Sequence, residues 1–161
     1  MTVGCATTEA QSLDAAAIAH IAYTADEIDI DYAHLALALS DNPKVREFAE
    51  LMVRDHGAVN KQALGLAQKL KLTPKDNDTS QQLVKQRTAI RDELRALSGA
   101  AFDKRYAENE LSYHQFVNKA VETQFIPSAK NAQFKNFLSQ ALKVFKTHET
   151  HAGEMVRAVS Q

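Results

Sequence analysis

The chain has 161 residues, enough for one domain with a substantial core. Hydrophobic residues make up 45% and charged residues 24%, which excludes a disordered polypeptide. The net charge of −1, with no basic cluster, argues against nucleic acid and against an anionic membrane surface as main partners.

Five glycines, three prolines and no strand-like alternation of β-branched residues point to an all-α protein. A single cysteine, Cys5, rules out an internal disulfide. No apolar run reaches the ~18 residues of a spanning helix, and no signal peptide is legible. Val3-Gly4-Cys5-Ala6 resembles the end of a bacterial lipoprotein signal, which makes Cys5 a candidate lipid anchor. The alternative is an incidental thiol in a flexible tail over residues 1–12, ahead of one helical domain over 13–161.

The first predicted helix covers Leu13 to Leu39, with the stripe Ile18, Ala22, Ala25, Asp29, Tyr32, Ala36 and Leu39 at spacings of four and three. Asp41-Asn42-Pro43 then makes a tight turn, with Asp41 or Asn42 as cap and Pro43 at the first helical position. The second helix is expected over Lys44 to Leu72. Its stripe, Val45, Ala49, Met52, His56, Val59, Ala63, Leu66 and Leu70, is interrupted by one histidine.

A polar stretch over Thr73 to Ser80 leads into a shorter helix from Thr79 to Leu97, which breaks at Ser98-Gly99. The third long helix covers Ala100 to Phe125, with Phe102, Tyr106, Glu110, Tyr113, Val117 and Val121 inward. Ile126-Pro127-Ser128 turns the chain. The fourth covers Ala129 to Val159, with Phe134, Leu138, Ala141, Phe145, His148, Ala152, Met155 and Val159 inward.

The linker between the second and third long helices is long for a bundle loop. Its short helix can run back along the bundle, so that the third long helix starts at the end where the second did. This is the long crossover of ferritin-like folds. In that topology Asp29, His56, Glu110 and His148 each lie about twelve residues from the bundle end that carries the first turn. With a simple turn instead, Glu110 and His148 would miss the Asp29 level by roughly 7–10 Å.

Four helices that each present one ligand-type side chain at one height can build a metal site in their core. Two imidazoles and two carboxylates suit iron, zinc or manganese. His114, one turn beyond Glu110, can coordinate or support a coordinating group. His151, three residues past His148, borders the same face. Tyr106, one turn before Glu110, can hydrogen-bond a ligand or bound oxygen. Asp55 lies about 100° round the helix from His56 and serves a neighbouring interface.

Met52 and Met155 raise a copper reading, since thioethers favour Cu(I), although methionine in a helix stripe is more often core filler. His20 and His34 point away from the Asp29 stripe. No nucleophilic triad is legible, and the Glu-x-x-His motif of di-iron bundles is absent. The metal-free alternative is a buried polar network, with His56 paired to Asp29 or His148 to Glu110.

Several segments resemble a large bacterial family of unknown function in the ferritin-like superfamily, often labelled a putative outer membrane protein. They are Glu47-Phe48-Ala49-Glu50-Leu51-Met52-Val53-Arg54-Asp55-His56 with Val59-Asn60, Gly99-Ala100-Ala101-Phe102-Asp103-x-x-Tyr106, Tyr113-His114 and His148-x-x-His151. His20-Ile21-Ala22-Tyr23-Thr24-Ala25 resembles one of its subgroups. The resemblance covers Leu13 to Met155. It implies a ferritin-like four-helix bundle exported to the periplasm or outer membrane, with no established activity to carry over. In many relatives the position matching Asp29 resembles Glu, a longer carboxylate.

Overall fold

A computed structural model describes residues 13–161. The expected flexible tail and the Cys5 anchor fall outside the described residues. Among these residues the protein is all-α. Its elements are α1 (Ala15–Leu39), α2 (Pro43–Lys69), α3 (Asp78–Arg95), α4 (Gly99–Ala120), a π-helical segment (Val121–Phe125), a single turn α5 (Ile126–Ser128), and α6 (Ala132–Val159).

Local chemistry sets most of the boundaries. Asp14 accepts from the Ala17 amide at 2.8 Å and starts α1. Asn42 caps Lys44 at 2.9 Å with Pro43 in the first turn, so α2 begins where the sequence places it. A reciprocal Asn77–Ser80 capping box opens α3, and Asn131 caps Phe134 at 3.0 Å to open α6. Gly99 takes φ of +55° at the start of α4, a conformation that strains any residue with a Cβ.

The end of α4 differs from expectation. The helix passes Phe125 and continues to Ser128 through the π segment, with the Ile126 amide bonding Val121 O. Pro127 cannot donate, and it follows directly on the π segment, where the regular i to i−4 ladder is already interrupted.

α1 packs on α2, α4 on α6, α2 on α6 and α1 on α4. α3 packs mainly on α1, where Arg87 pairs with Asp31 at 2.9 Å and Arg91 joins the same carboxylate. The loop before α3 bonds the start of α1, Lys75 N to Ala16 O at 3.0 Å. The start of α4 meets the end of α1 through a Ser40 to Asp103 hydrogen bond. α3 therefore runs the length of α1, and α4 starts at the end of the molecule where α2 starts.

That layout gives all four long helices an inner face at the same level. The apolar core includes Ile18, Ile28, Tyr32, Phe48, Met52, Phe102, Tyr106 and Leu138. No helix among the described residues is long and apolar enough to cross a membrane.

Candidate metal centre

The core is interrupted by a band of buried polar side chains: Asp26 and Asp29 from α1, His56 from α2, Glu110 and His114 from α4, and His148 from α6. Asp29, His56, Glu110 and His148, each alone in its apolar stripe, come together. Asp29 Oδ2 is 3.0 Å from His56 Nε2 and 3.3 Å from His114 Nε2. Donor atoms of His56, His114 and His148 lie within 4.8 Å of one another, and so do those of Asp29, Glu110 and His114. His114 belongs to both groups and so sits at the centre of the cluster.

Each imidazole has one nitrogen held by a hydrogen bond, while the other faces the cluster, where His56 Nε2 and His114 Nε2 lie against Asp29. His56 Nδ1 is 2.8 Å from Asp26 Oδ1. His114 Nδ1 donates to the Glu110 backbone carbonyl at 2.9 Å. His148 Nε2 is 3.0 Å from Asp55 Oδ2. His56 Nε2, His114 Nε2 and His148 Nδ1 are buried without a hydrogen-bond partner, as are both oxygens of Asp29 and of Glu110.

A histidine that coordinates a metal characteristically gives its other ring nitrogen to a carboxylate or carbonyl, which sets its tautomer and orientation. Each unsatisfied buried polar group costs about 1–3 kcal/mol. A bound transition ion returns on the order of 10 kcal/mol. The donor set, three nitrogens and two carboxylates, therefore fits a divalent first-row ion in both number and type.

The rings also pack. His56 stacks on Phe145 with centroids 4.9 Å apart, and His56, His114 and His148 lie 5.1–5.8 Å apart pairwise. Phe48, against His114 at 6.1 Å, closes another side.

Without a metal the charges sort themselves. Burial opposes a proton on His56, but the Asp29 charge and the hydrogen bond the ring donates to Asp26 overcome it and push its pKa up to about 10. Burial pushes His148 down to about 4 despite its bond to Asp55, and burial also lowers His114. Burial works against ionised Asp29 as well, yet the neighbouring His56 and His114 hold it well below the usual carboxylate range. Glu110 goes the other way, raised by burial and by the Asp29 charge. The two neighbouring carboxylates are thus pushed in opposite directions, Asp29 towards the ionised form and Glu110 towards the protonated one.

The other residues singled out in the sequence fall as follows. Tyr106 is fully buried one turn before Glu110, and its hydroxyl has no partner. Asp55 reaches α6, where it anchors His148 while pairing with Arg54 at 2.8 Å. His151 is exposed and lines a surface groove with Glu47, Leu51 and Glu154, so the structure does not bring it to the cluster. The inner stripe of α6 steps from His148 to Ala152 and Met155, which turns His151 outward.

Met52 and Met155 are part of the hydrophobic core. His34 is exposed, and His20 lies by the loop before α3, 3.8 Å from Asp76. The inner stripe of α4 is Phe102, Tyr106, Glu110, His114, Asn118 and Val121; Tyr113 and Val117, expected inward, are only half-buried. Tyr113 instead donates to Ala25 O of α1 at 2.9 Å.

Residues 2–155 match the family model described as domain of unknown function (DUF4142), so the chain belongs to that family. No curated protein and no solved structure matches it.

Proposed function

We propose that this DUF4142 chain is a ferritin-like four-helix bundle whose core holds one transition-metal ion. The carrying observation is the set of three buried imidazoles, each held at one nitrogen by a hydrogen bond and turned with the other towards the cluster around Asp29. His56, His114, His148 and Asp29 are the ligands, with Glu110 adjoining as a fifth donor. Iron, manganese and zinc suit nitrogen and carboxylate donors better than copper, whose thioether candidates pack in the core.

Asp55 supports the site by holding His148, and Tyr106 stands one turn from Glu110 without a bond to any of the ligands. The crossover run of α3 along α1 supports the ferritin-like assignment. Export to the periplasm or outer membrane extends this reading on the family resemblance, lipidation at Cys5 on the Val3-Gly4-Cys5-Ala6 segment, and a part in metal or oxidative stress protection on the metal site itself.

A second reading has its own observation. His56 lies between Asp26 and Asp29 at 2.8 and 3.0 Å, an arrangement that a protonated imidazole satisfies without metal. On this reading the cluster is a polar network that sets helix register in an envelope protein. Elemental analysis of protein purified without chelator, followed by re-addition of iron, manganese and zinc, separates the two. About one equivalent of one metal per chain is expected, and no uptake of any of the three would leave the metal-free network.

A further inference from the structure

One part of the cluster is left over once an ion is placed. The Tyr106 hydroxyl is buried and without an acceptor, and so is Nδ2 of the adjacent Asn109. Tyr106 sits on the same buried face of α4 as Glu110 and His114, one helical turn before Glu110. Neither group is a metal donor here: a neutral phenol and an amide N–H donate hydrogen bonds.

The imidazole and carboxylate atoms, by contrast, are acceptors that an ion claims. The described ligand set offers three imidazoles and two carboxylates, while first-row ions such as iron, manganese and cobalt take roughly five or six donors. In six-coordination one position remains on the ion, and Tyr106 brings to this band a buried donor with nothing to bond. That hydroxyl, a donor with no acceptor, favours an anion there. The enclosing side chains, Phe48, Tyr106, Phe145 and the ligands themselves, are all buried, which limits that anion to a small one.

We propose that the metal's remaining coordination position binds a diatomic or triatomic monoanion, the class to which superoxide, hydroperoxide and azide belong, and that the Tyr106 hydroxyl donates a hydrogen bond to it. This deepens the metal-site reading and rests on it.

The test uses the full chain loaded with cobalt(II), whose visible absorption reports the coordination sphere, and azide as the anion. Cobalt should load to about one equivalent per chain, and azide should then change the spectrum saturably. Tyr106→Phe should bind cobalt as the wild type does but take up azide about tenfold or more weakly, because a hydrogen bond to a charged acceptor is lost. The metal-free Tyr106→Phe protein should melt no lower than wild type, since the hydroxyl it loses has no partner.

A cobalt protein that azide leaves unchanged, equal azide affinity in the two proteins, or a clear drop in the variant's metal-free melting temperature would each overturn the inference while leaving the metal site intact. Failure of the wild type to bind cobalt would overturn the metal reading, and this inference with it.

Discussion

Asp26 holds His56 Nδ1 at 2.8 Å from one helical turn before Asp29, whose Oδ2 lies 3.0 Å from the other ring nitrogen. The two carboxylates of one helix thus grip both sides of an imidazole from its neighbour. Asp26 orients the ring, and Asp29 shares its approach to the ion.

Asp26→Asn should therefore weaken metal binding without removing a ligand. Loss of such a supporting carboxylate typically costs about 10- to 100-fold in affinity. Competition with a calibrated chelator measures it, and an affinity equal to wild type would show that Asp26 does not orient His56.

His56→Ala removes a ligand and should abolish the metal-induced rise in melting temperature. An ion that binds only the native state adds about 2.7 kcal/mol at a hundred times its dissociation constant. His34→Ala, on the exposed face of α1, should keep the full increment. Equal metal-induced rises in wild type and His56→Ala would exclude His56 as a ligand.

Much of this site could be read from helical spacing, and the reasons for the rest are local. Asp29, His56, Glu110 and His148 each interrupt an otherwise apolar stripe, so their inward direction was legible before any coordinates. Asp26 was missed because the run Asp26-Glu27-Ile28-Asp29-Ile30-Asp31 is dense in acids, and nothing in it separates the buried carboxylates from exposed Glu27. Its spacing of three from Asp29 was the available signal. His151 was included on its spacing of three from His148, but α6 continues inward through steps of four and three to Ala152 and Met155. On α4 the spacing of four from Glu110 to His114 held while Tyr113 did not, because Tyr113 turns towards α1 to reach the Ala25 carbonyl.

Stability of the metal-free protein should fall on both sides of neutrality. His56, raised to about 10 from the ordinary imidazole value of 6.5, stabilises fully below pH 6.5 and loses that contribution as pH rises through about 10. Glu110 acts in the same direction, since the unfolded carboxyl ionises above 4.5 while the buried one stays protonated. His148, lowered to about 4, works in the opposite direction. As pH falls from 6.5 towards 4, the unfolded chain takes up a proton that the folded one refuses, and stability declines. Urea midpoints between pH 4 and 10 check this. Asp29→Asn should flatten the alkaline decline, and an unchanged decline would remove His56 as its cause.

Metal uptake near pH 7 should release protons. His56, raised to about 10, is protonated there and must give up a proton to coordinate, and Glu110, raised by burial and by the Asp29 charge, adds to the release, so about one proton or more per ion is expected. Titration calorimetry in buffers of different ionisation enthalpy counts them, and affinity should rise with pH. Binding with no proton exchange would contradict the assigned charges.

X-ray absorption at the metal edge of reconstituted protein tests the central claim most directly. The account predicts nitrogen and oxygen neighbours at about 2.0–2.2 Å, with outer-shell scattering from about three imidazoles that falls to two in His148→Ala. A spectrum with oxygen neighbours alone, or one unchanged by His148→Ala, would contradict it.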